Sequence, residues 1–386
     1  MTKSRHLEGG GGGDSIETAT TGFPHREGKS EAGGLDVPAL PWRQMEAWPI
    51  ATAGLPTRIV SRALQRGYQT IGELRRIPEE KILQWRSVGT VSIQKLQSFF
   101  RLCEVISRGE LRLGSVEEVF NLFLDKDEIK VITARYNLSV PYQPHGRRTT
   151  LQEIGRITNR TRERVRQVEE RAFHKLRCNL ARTCLEPFYV YFRSILTGMQ
   201  GSATCRDIMQ TADPSLFGDF NPCAVLALFC ELQPEIFVNR GAVFSLLSHS
   251  ILSGIEQRLV QILRAEQEPL PEPLLTRQFQ ESAPAPSPSE LRAAPLIARD
   301  SDKILSTIDG RHLLPEHLGH VIAERMQLMT LPAHFREIAS AVNDLLTPAS
   351  RVGAGIVLRK LNSSSLFSRV DRGLYTLVPR TGHLTT

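Results

Sequence analysis

RRTTLQEIGRITNRTRERVRQVEERAFHKLR, residues Arg147–Arg177, is the stretch on which the reading of this chain turns. It holds ten Lys/Arg against four Asp/Glu, a surplus of six in a 386-residue chain whose whole formal charge is +7. A short basic segment that also patterns as two consecutive helices is the electrostatic footprint of a nucleic-acid reader. Thr150-Leu151-Gln152-Glu153 has the form of a capping box, in which the hydroxyl takes an orphan N–H and the carboxylate reaches back to the cap. Leu151, Ile154 and Ile157 then fall on one helical face. Thr158-Asn159-Arg160 is a short polar turn. A second helix starts near Thr161, with Val165, Val168, Ala172 and Leu176 spaced to face a core and Phe173 beside them. Its opposite face carries Arg162, Glu163, Arg166 and Gln167. Arginine can bond guanine bidentately, glutamine can do the same with adenine, and glutamate can accept from cytosine. The N-terminal part of the second helix of a helix-turn-helix is the part that meets base edges. Arg147, Arg148, Thr150, Arg160 and Arg164 flank that face and are expected at phosphates. The competing reading is a solvated basic face on a protein-contact module, and the clustering of charge favours DNA.

Four blocks in order, DKDEIKVITARYNL (125–138), TLQEIG (150–155), TRERVRQVE (161–169) and KLR (175–177), resemble the fourth conserved region of housekeeping-type bacterial sigma factors. The resemblance covers roughly residues 115–180. It implies a helix-turn-helix that reads the upstream promoter element and touches RNA polymerase, with Arg162, Glu163, Arg166 and Gln167 at the base-reading positions. The loop Ser139–Arg148, with two prolines, departs from the short turn usual in that family.

Upstream, LPTRIVSRALQRGYQTIGEL (55–74) and ILQWRSVG (82–89) through Leu96 resemble the C-terminal domain of the RNA polymerase alpha subunit, a helix-hairpin-helix unit that grips the minor groove. Val60, Ala63 and Leu64 make an apolar stripe, and Ile71 and Leu74 begin the next. Val88-Gly89 turns into a helix near Ser92, whose free N–H groups suit a phosphate. The resemblance places Arg58, Gly89 and Ser92 at DNA, whereas Ser61 and Val91 replace the family's usual Asn and Lys. Residues 41–114 carry twelve basic and six acidic groups, in keeping with a second DNA contact.

The C-terminal half repeats itself. VNRGAVFSL (238–246) resembles VDRGLYTL (370–377), and IDGRHLLP (308–315) is a degenerate third copy. Each reads as strand, glycine turn and strand, a β-hairpin preceded by helical segments. Three tandem winged helices are expected, at 186–249, 250–317 and 318–380, with the Pro/Ala/Ser segment 282–288 as a loop in the middle one. The last, LPAHFREIA (331–339) with FSRVDRGLYTL (367–377), resembles the HARE-type winged helix of the polymerase delta subunit. Residues 186–317 carry ten basic and sixteen acidic groups, a poor composition for gripping a duplex. Residues 318–380 carry eight basic and four acidic groups. That unit either touches DNA through Arg351, Arg359, Lys360, Arg369 and Arg372 or presents a solvated face for protein contact.

The expected fold class is mainly α and multidomain, with residues 1–40, which include five consecutive glycines, as a disordered tail. The remaining bounds are 41–114 for the helix-hairpin-helix domain and 115–182 for the sigma-like domain. The six cysteines show no metal spacing and are read as reduced, buried thiols. His312, His317 and His320 are read as solvent-exposed rather than as a metal site. No apolar run reaches the ~20 residues of a membrane span. There is no phosphate-binding loop, nucleophile elbow or zinc-protease motif, so no enzyme, metal or cofactor is expected. The expected partners are double-stranded DNA and RNA polymerase, and the expected location is the cytoplasm, at the nucleoid. No promoter-melting region precedes residue 115. A polymerase-binding adaptor or decoy, or a DNA-binding factor of a mobile element or defence system, are the alternatives.

Overall fold

The computed structural model describes residues 34–143, 148–266 and 268–378. It is mostly helical, with small antiparallel sheets. The first module opens with β1 (Leu35–Asp36), paired antiparallel with β2 (Arg112–Leu113). Val37 is buried behind it, and its N–H donates to the Leu111 carbonyl at 2.9 Å. The expectation of a disordered tail to residue 40 is therefore corrected for residues 34–40: Leu35 and Val37 give this end of the segment an apolar edge to bury. Residues 1–33 lie outside the described residues.

Between these strands run α1 (Trp42–Glu46), α2 (Thr57–Leu64), α3 (Ile71–Arg75), α4 (Glu79–Leu83) and α5 (Thr90–Arg108). Helix α3 starts on a complete Thr70/Glu73 capping box. The buried stripe of α2 is Ile59 and Ala63, with Val60 half-buried. Leu64, expected in that stripe, is 37% exposed, because Ile59 and Ala63 at i,i+4 spacing define the inward direction.

The second module comprises α6 (Val116–Phe123), α7 (Lys126–Tyr136), α8 (Leu151–Thr158) and α9 (Arg162–Leu176). Each has a side-chain cap, from Ser115, Asp125, Thr150 and Thr161 in turn. Such caps satisfy orphan N–H groups and fix where a helix begins. Helix α8 ends on Asn159 in the left-handed region (φ 52°), and two residues later Thr161 caps α9. Gly155 makes this close approach possible: a Cβ there would lie 2.6 Å from the Arg160 carbonyl oxygen. Val131, Ile154, Val165 and Val168 form the small core under the turn. Ile157, expected to face that core, is 65% exposed. On this two-turn helix the inward positions are Ile154 and Gly155, which point Ile157 to solvent.

Helix α10 (Asn179–Gly198) leaves this module and enters the next without interruption, so the expected boundary between 182 and 186 falls inside one helix. Its buried Leu180, Leu185, Phe188, Phe192 and Leu196 belong to a single hydrophobic core that extends from Val37 to Phe244. Beyond α10 the chain builds three units of one topology. The first adds β3 (Ser202–Thr204), α11 (Cys205–Thr211), α12 (Pro222–Leu232), β4 (Val238–Arg240) and β5 (Val243–Ser245), with strand order β3-β5-β4. The second has α13 (His249–Ala265), β6 (Leu270–Pro271), α14 (Glu272–Glu281), α15 (Pro288–Asp300), β7 (Leu305–Ser306) and β8 (Arg311–Leu313), ordered β6-β8-β7. The third has α16 (Leu318–Met326), β9 (Ala333–His334), α17 (Phe335–Asn343), α18 (Ala354–Ser363), β10 (Phe367–Asp371) and β11 (Leu374–Leu377), ordered β10-β11-β9. In every unit the last strand is central. The hairpin turns hold Gly241, Gly310 and Gly373 at φ of 57°, 81° and 79°, a conformation that side chains with a Cβ disfavour.

The histidine expectation is corrected. His312 is fully buried, with Nδ1 2.8 Å from Ser306 Oγ and Nε2 3.3 Å from Glu272 Oε2, and burial holds its pKa below the ordinary value. His317 and His320 are half-buried. Among the described residues no cluster of His, Cys, Asp or Glu could hold a metal ion. The six cysteines are unpaired, five of them buried and Cys205 half-buried.

Candidate nucleic-acid interface

Helix α9 divides cleanly. Val165, Val168, Ala172 and Leu176 are fully buried, which turns Arg162, Glu163, Arg166 and Gln167 together to solvent. Three of these four are organised by one another. Arg166 donates from Nε and Nη2 to the two Glu163 carboxylate oxygens at 2.9 and 2.7 Å, and it also pairs with Glu170. Gln167 donates to Glu163 Oε1 at 3.3 Å and accepts from Arg164 Nη1 at 3.4 Å. The hydrogen bond between Arg166 and Glu163 raises the guanidinium pKa and lowers that of the carboxyl. These are solvated pairs of the kind that contribute little to stability, so exchanging them for base edges costs little. Arg162 forms no ion pair among the described residues and is exposed.

The flanking cations divide differently. Arg164 remains exposed at the first turn of α9. Thr150 uses its hydroxyl as the α8 cap, donating to Glu153 Oε2 at 2.6 Å and accepting from the Glu153 N–H at 3.3 Å. Arg160, expected at a phosphate, pairs with Asp127 at 2.6 Å, tying the turn to the start of α7. Arg148, also expected at a phosphate, is exposed and has a protein partner here. It pairs with Glu231 at the end of α12 and lies 5.0 Å over the Tyr136 ring, while the Tyr136 hydroxyl donates to the same carboxylate. Arg147 lies outside the described residues.

The described part of the unusual loop, residues 139–143 and Arg148, makes further contacts. Tyr142 packs 5.8 Å from Phe244, and its hydroxyl accepts from Asn239 Nδ2 at 2.9 Å. The loop therefore links the helix-turn-helix to the β4–β5 hairpin. Two further ion pairs fix α7 to α9: Arg135 with Glu169 at 3.0 Å, and Lys175 with the fully buried Glu128. Sequence reasoning misses both, because their partners lie far apart in the chain and no local pattern couples them.

In the first module Arg58 is exposed and forms no ion pair among the described residues. Gly89 is the N-cap of α5 with open space beside its Cα and no side-chain cap, and Ser92 is half-buried one turn on. The Ser92 N–H donates to the Gly89 carbonyl at 2.9 Å, while the N–H groups of Thr90 and Val91, in the first turn, have no backbone partner among the described residues.

Residues 124–177 match the Sigma-70, region 4 family. RNA polymerase sigma factor SigA of Listeria monocytogenes serovar 1/2a is 40% identical over 68 residues, 18% of this chain and 17% of that protein. SigA of a Bacillus species is 26% identical over 123 residues, 31% of each. The chain thus spans less than a third of the length of these curated relatives. No solved structure matches it significantly. The class so defined is a protein carrying a DNA-binding, transcription-related domain of the sigma region 4 type. A domain of that class works in general with DNA and RNA polymerase. Among the described residues no helix is long and apolar enough to cross a membrane.

Proposed function

We propose that this chain is a sequence-specific DNA-binding protein of bacterial transcription, a promoter-recognition or regulatory factor. The observation that carries the reading is the outward row Arg162, Glu163, Arg166 and Gln167 on α9, exposed within the segment that matches sigma region 4. In this reading Arg162 and Arg166 bond guanine, Gln167 bonds adenine and Glu163 accepts from cytosine. Arg164 supplies a phosphate contact. The first module is read as an alpha-subunit-like helix-hairpin-helix, with Arg58, Gly89 and Ser92 on a second stretch of backbone. The three C-terminal units are read as winged helices, the last of HARE type. Two linked weak sites on one duplex bind far more tightly than either alone. The reading is non-enzymatic, without a cofactor, and places the protein in the cytoplasm at the nucleoid. The test is anisotropy titration of the full chain on promoter-length duplexes. An Arg162/Arg166/Gln167 triple-alanine variant should lose discrimination between sequences while retaining residual, salt-sensitive binding.

A second reading, a polymerase-binding adaptor, is favoured by a specific observation. An open groove of about 510 Å³ runs along α7, lined by Asn121, Lys126, Ile129, Lys130, Thr133 and Phe220. Co-purification of polymerase that survives the triple-alanine change and fails in an Ile129→Asp variant would move the weight to that reading.

A further inference from the structure

The three C-terminal units share one topology but differ in what happens to their third helix. In the first, α12 is buried along nearly its whole length, from Pro222 to Cys230 and at Leu232. The Asn221 N–H donates to the Leu138 carbonyl at 2.6 Å, and Phe220 packs 5.5 Å from Phe120 of the sigma-like module. In the second, α15 packs on the first unit's sheet. Arg292 pairs with Asp207 at 3.6 Å, the Ala242 N–H donates to Asp300 Oδ1 at 3.0 Å, and Ala293, Ala294, Leu296, Ile297 and Ala298 are buried. The third unit is different. Helix α18 buries only Val357 and Leu361, leaving Gly355, Ile356, Arg359 and Asn362 exposed. Its hairpin exposes Ser368, Arg369, Val370 and Asp371.

Charge follows the same division. Arg351 before α18, Arg359 on it, and Arg369 and Arg372 in the hairpin are all exposed, and none is in an ion pair among the described residues. Arg369 donates only to the Asp371 carbonyl, at 3.1 Å. Of the unit's four acidic groups, Glu324 is paired with Arg311 and Glu337 caps α17, while Asp344 is exposed and Asp371 lies exposed in the hairpin, accepting from the Arg372 N–H at 2.6 Å. Lys360 differs from the four arginines, because its ammonium donates to the Glu316 carbonyl.

We infer that this uncovered helix and hairpin form a further duplex-DNA contact, separate from α9 and the first module, that grips the phosphate backbone without reading sequence. Four unpaired guanidinium groups suit phosphates. The outward positions of α18 hold Gly355 and Ile356, which offer no hydrogen bonds to base edges, so sequence selectivity is not expected from it. The inference does not depend on base readout by α9.

The experiment uses the full chain and a 30-base-pair duplex of arbitrary sequence, with affinity measured across salt concentrations. Wild type is compared with an Arg351/Arg359/Arg369/Arg372 quadruple-alanine variant, the same four changed to lysine, and the α9 triple-alanine variant. Each phosphate neutralised contributes about 0.9 to the log–log salt slope. The quadruple-alanine variant should lose up to about 3.6 of that slope and at least tenfold in affinity at low salt. The lysine variant should keep most of both, since a phosphate accepts a point charge. A quadruple-alanine variant matching wild type in slope and affinity overturns the inference. So does a lysine variant as weak as the alanine one, which would mark a DNA contact that needs guanidinium geometry, as base readout does, rather than a grip by charge on phosphates. If the α9 variant loses sequence preference but keeps the salt slope, the two sites are separate. If only base readout fails, this further contact stands.

Discussion

Glu256→Gln is the perturbation whose effect the structure defines most closely. Glu256, in α13, is 2% exposed. It accepts from Lys303 Nζ at 2.7 Å and from Ser301 Oγ at 2.6 Å, and it pairs with Arg240 of β4. One carboxylate thus joins the first unit's hairpin to the helix and helix end of the second. Burial alone would raise its pKa. The bonds from Arg240, Lys303 and Ser301 outweigh burial and hold it at about 2, against an ordinary value of 4.5. At 1.36 kcal/mol for each tenfold change, that difference corresponds to about 3 kcal/mol of stabilisation at neutral pH. Because the folded-state pKa lies below the unfolded one, the stabilisation is complete above pH 4.5 and is lost as pH falls from there toward 2. Glutamine preserves the shape and removes the charge, leaving the Arg240 guanidinium facing a neutral amide. The expected cost at pH 7 is about 3 kcal/mol, within the range for a broken buried ion pair. Urea unfolding followed by circular dichroism measures it, and hydrogen exchange of the Leu252–Leu263 amides locates it. Wild type and variant should converge as pH approaches 2. A variant as stable as wild type at pH 7, or a difference that persists unchanged down to pH 2, would refute the reasoning.

The same geometry sets other outcomes. Arg166→Ala should reduce affinity for a selected duplex roughly 10- to 100-fold and relax preference at one base pair, as read by competition binding. Arg148→Ala should leave the salt slope of DNA binding unchanged, because its guanidinium is committed to Glu231, and should instead speed exchange of α12 amides. Gly155→Ala places a Cβ 2.6 Å from the Arg160 carbonyl and should cost about 1–3 kcal/mol in unfolding free energy, along with DNA affinity. Among the thiols, Cys205 should be alkylated first in timed labelling: a hydrogen bond from Cys223 lowers its pKa, whereas burial raises Cys103 to about 12.

The parts legible in the sequence are those governed by local chemistry. The Thr150/Glu153 box, the Asn159 turn and the Val165, Val168, Ala172, Leu176 stripe depend on neighbours within a few residues, and the helices form where those signals place them. The three hairpins are legible because a glycine recurs at each turn. Ile157 escapes the periodicity because two turns of helix do not distinguish adjacent faces, and Gly155 gives no apolar signal. The pairing of Arg148 with Glu231 and of Arg160 with Asp127 is not legible, because those carboxylates come from other elements and leave no local trace. One further feature does leave a trace: PCAVLALFCEL (222–232) is apolar all round, which marks a helix buried on every side rather than one that faces DNA. Separate motifs suggest separate domains, but α10 runs through the junction with a continuous core.

The measurement that tests the central claim most directly is selection of duplexes from a random pool at near-physiological salt by the full chain, beside the Arg162/Arg166/Gln167 triple-alanine variant. Base readout by α9 predicts a sharp motif for wild type, with guanine and adenine at adjacent positions, that disappears in the variant. A flat enrichment for both proteins, or one motif shared by both, would contradict it.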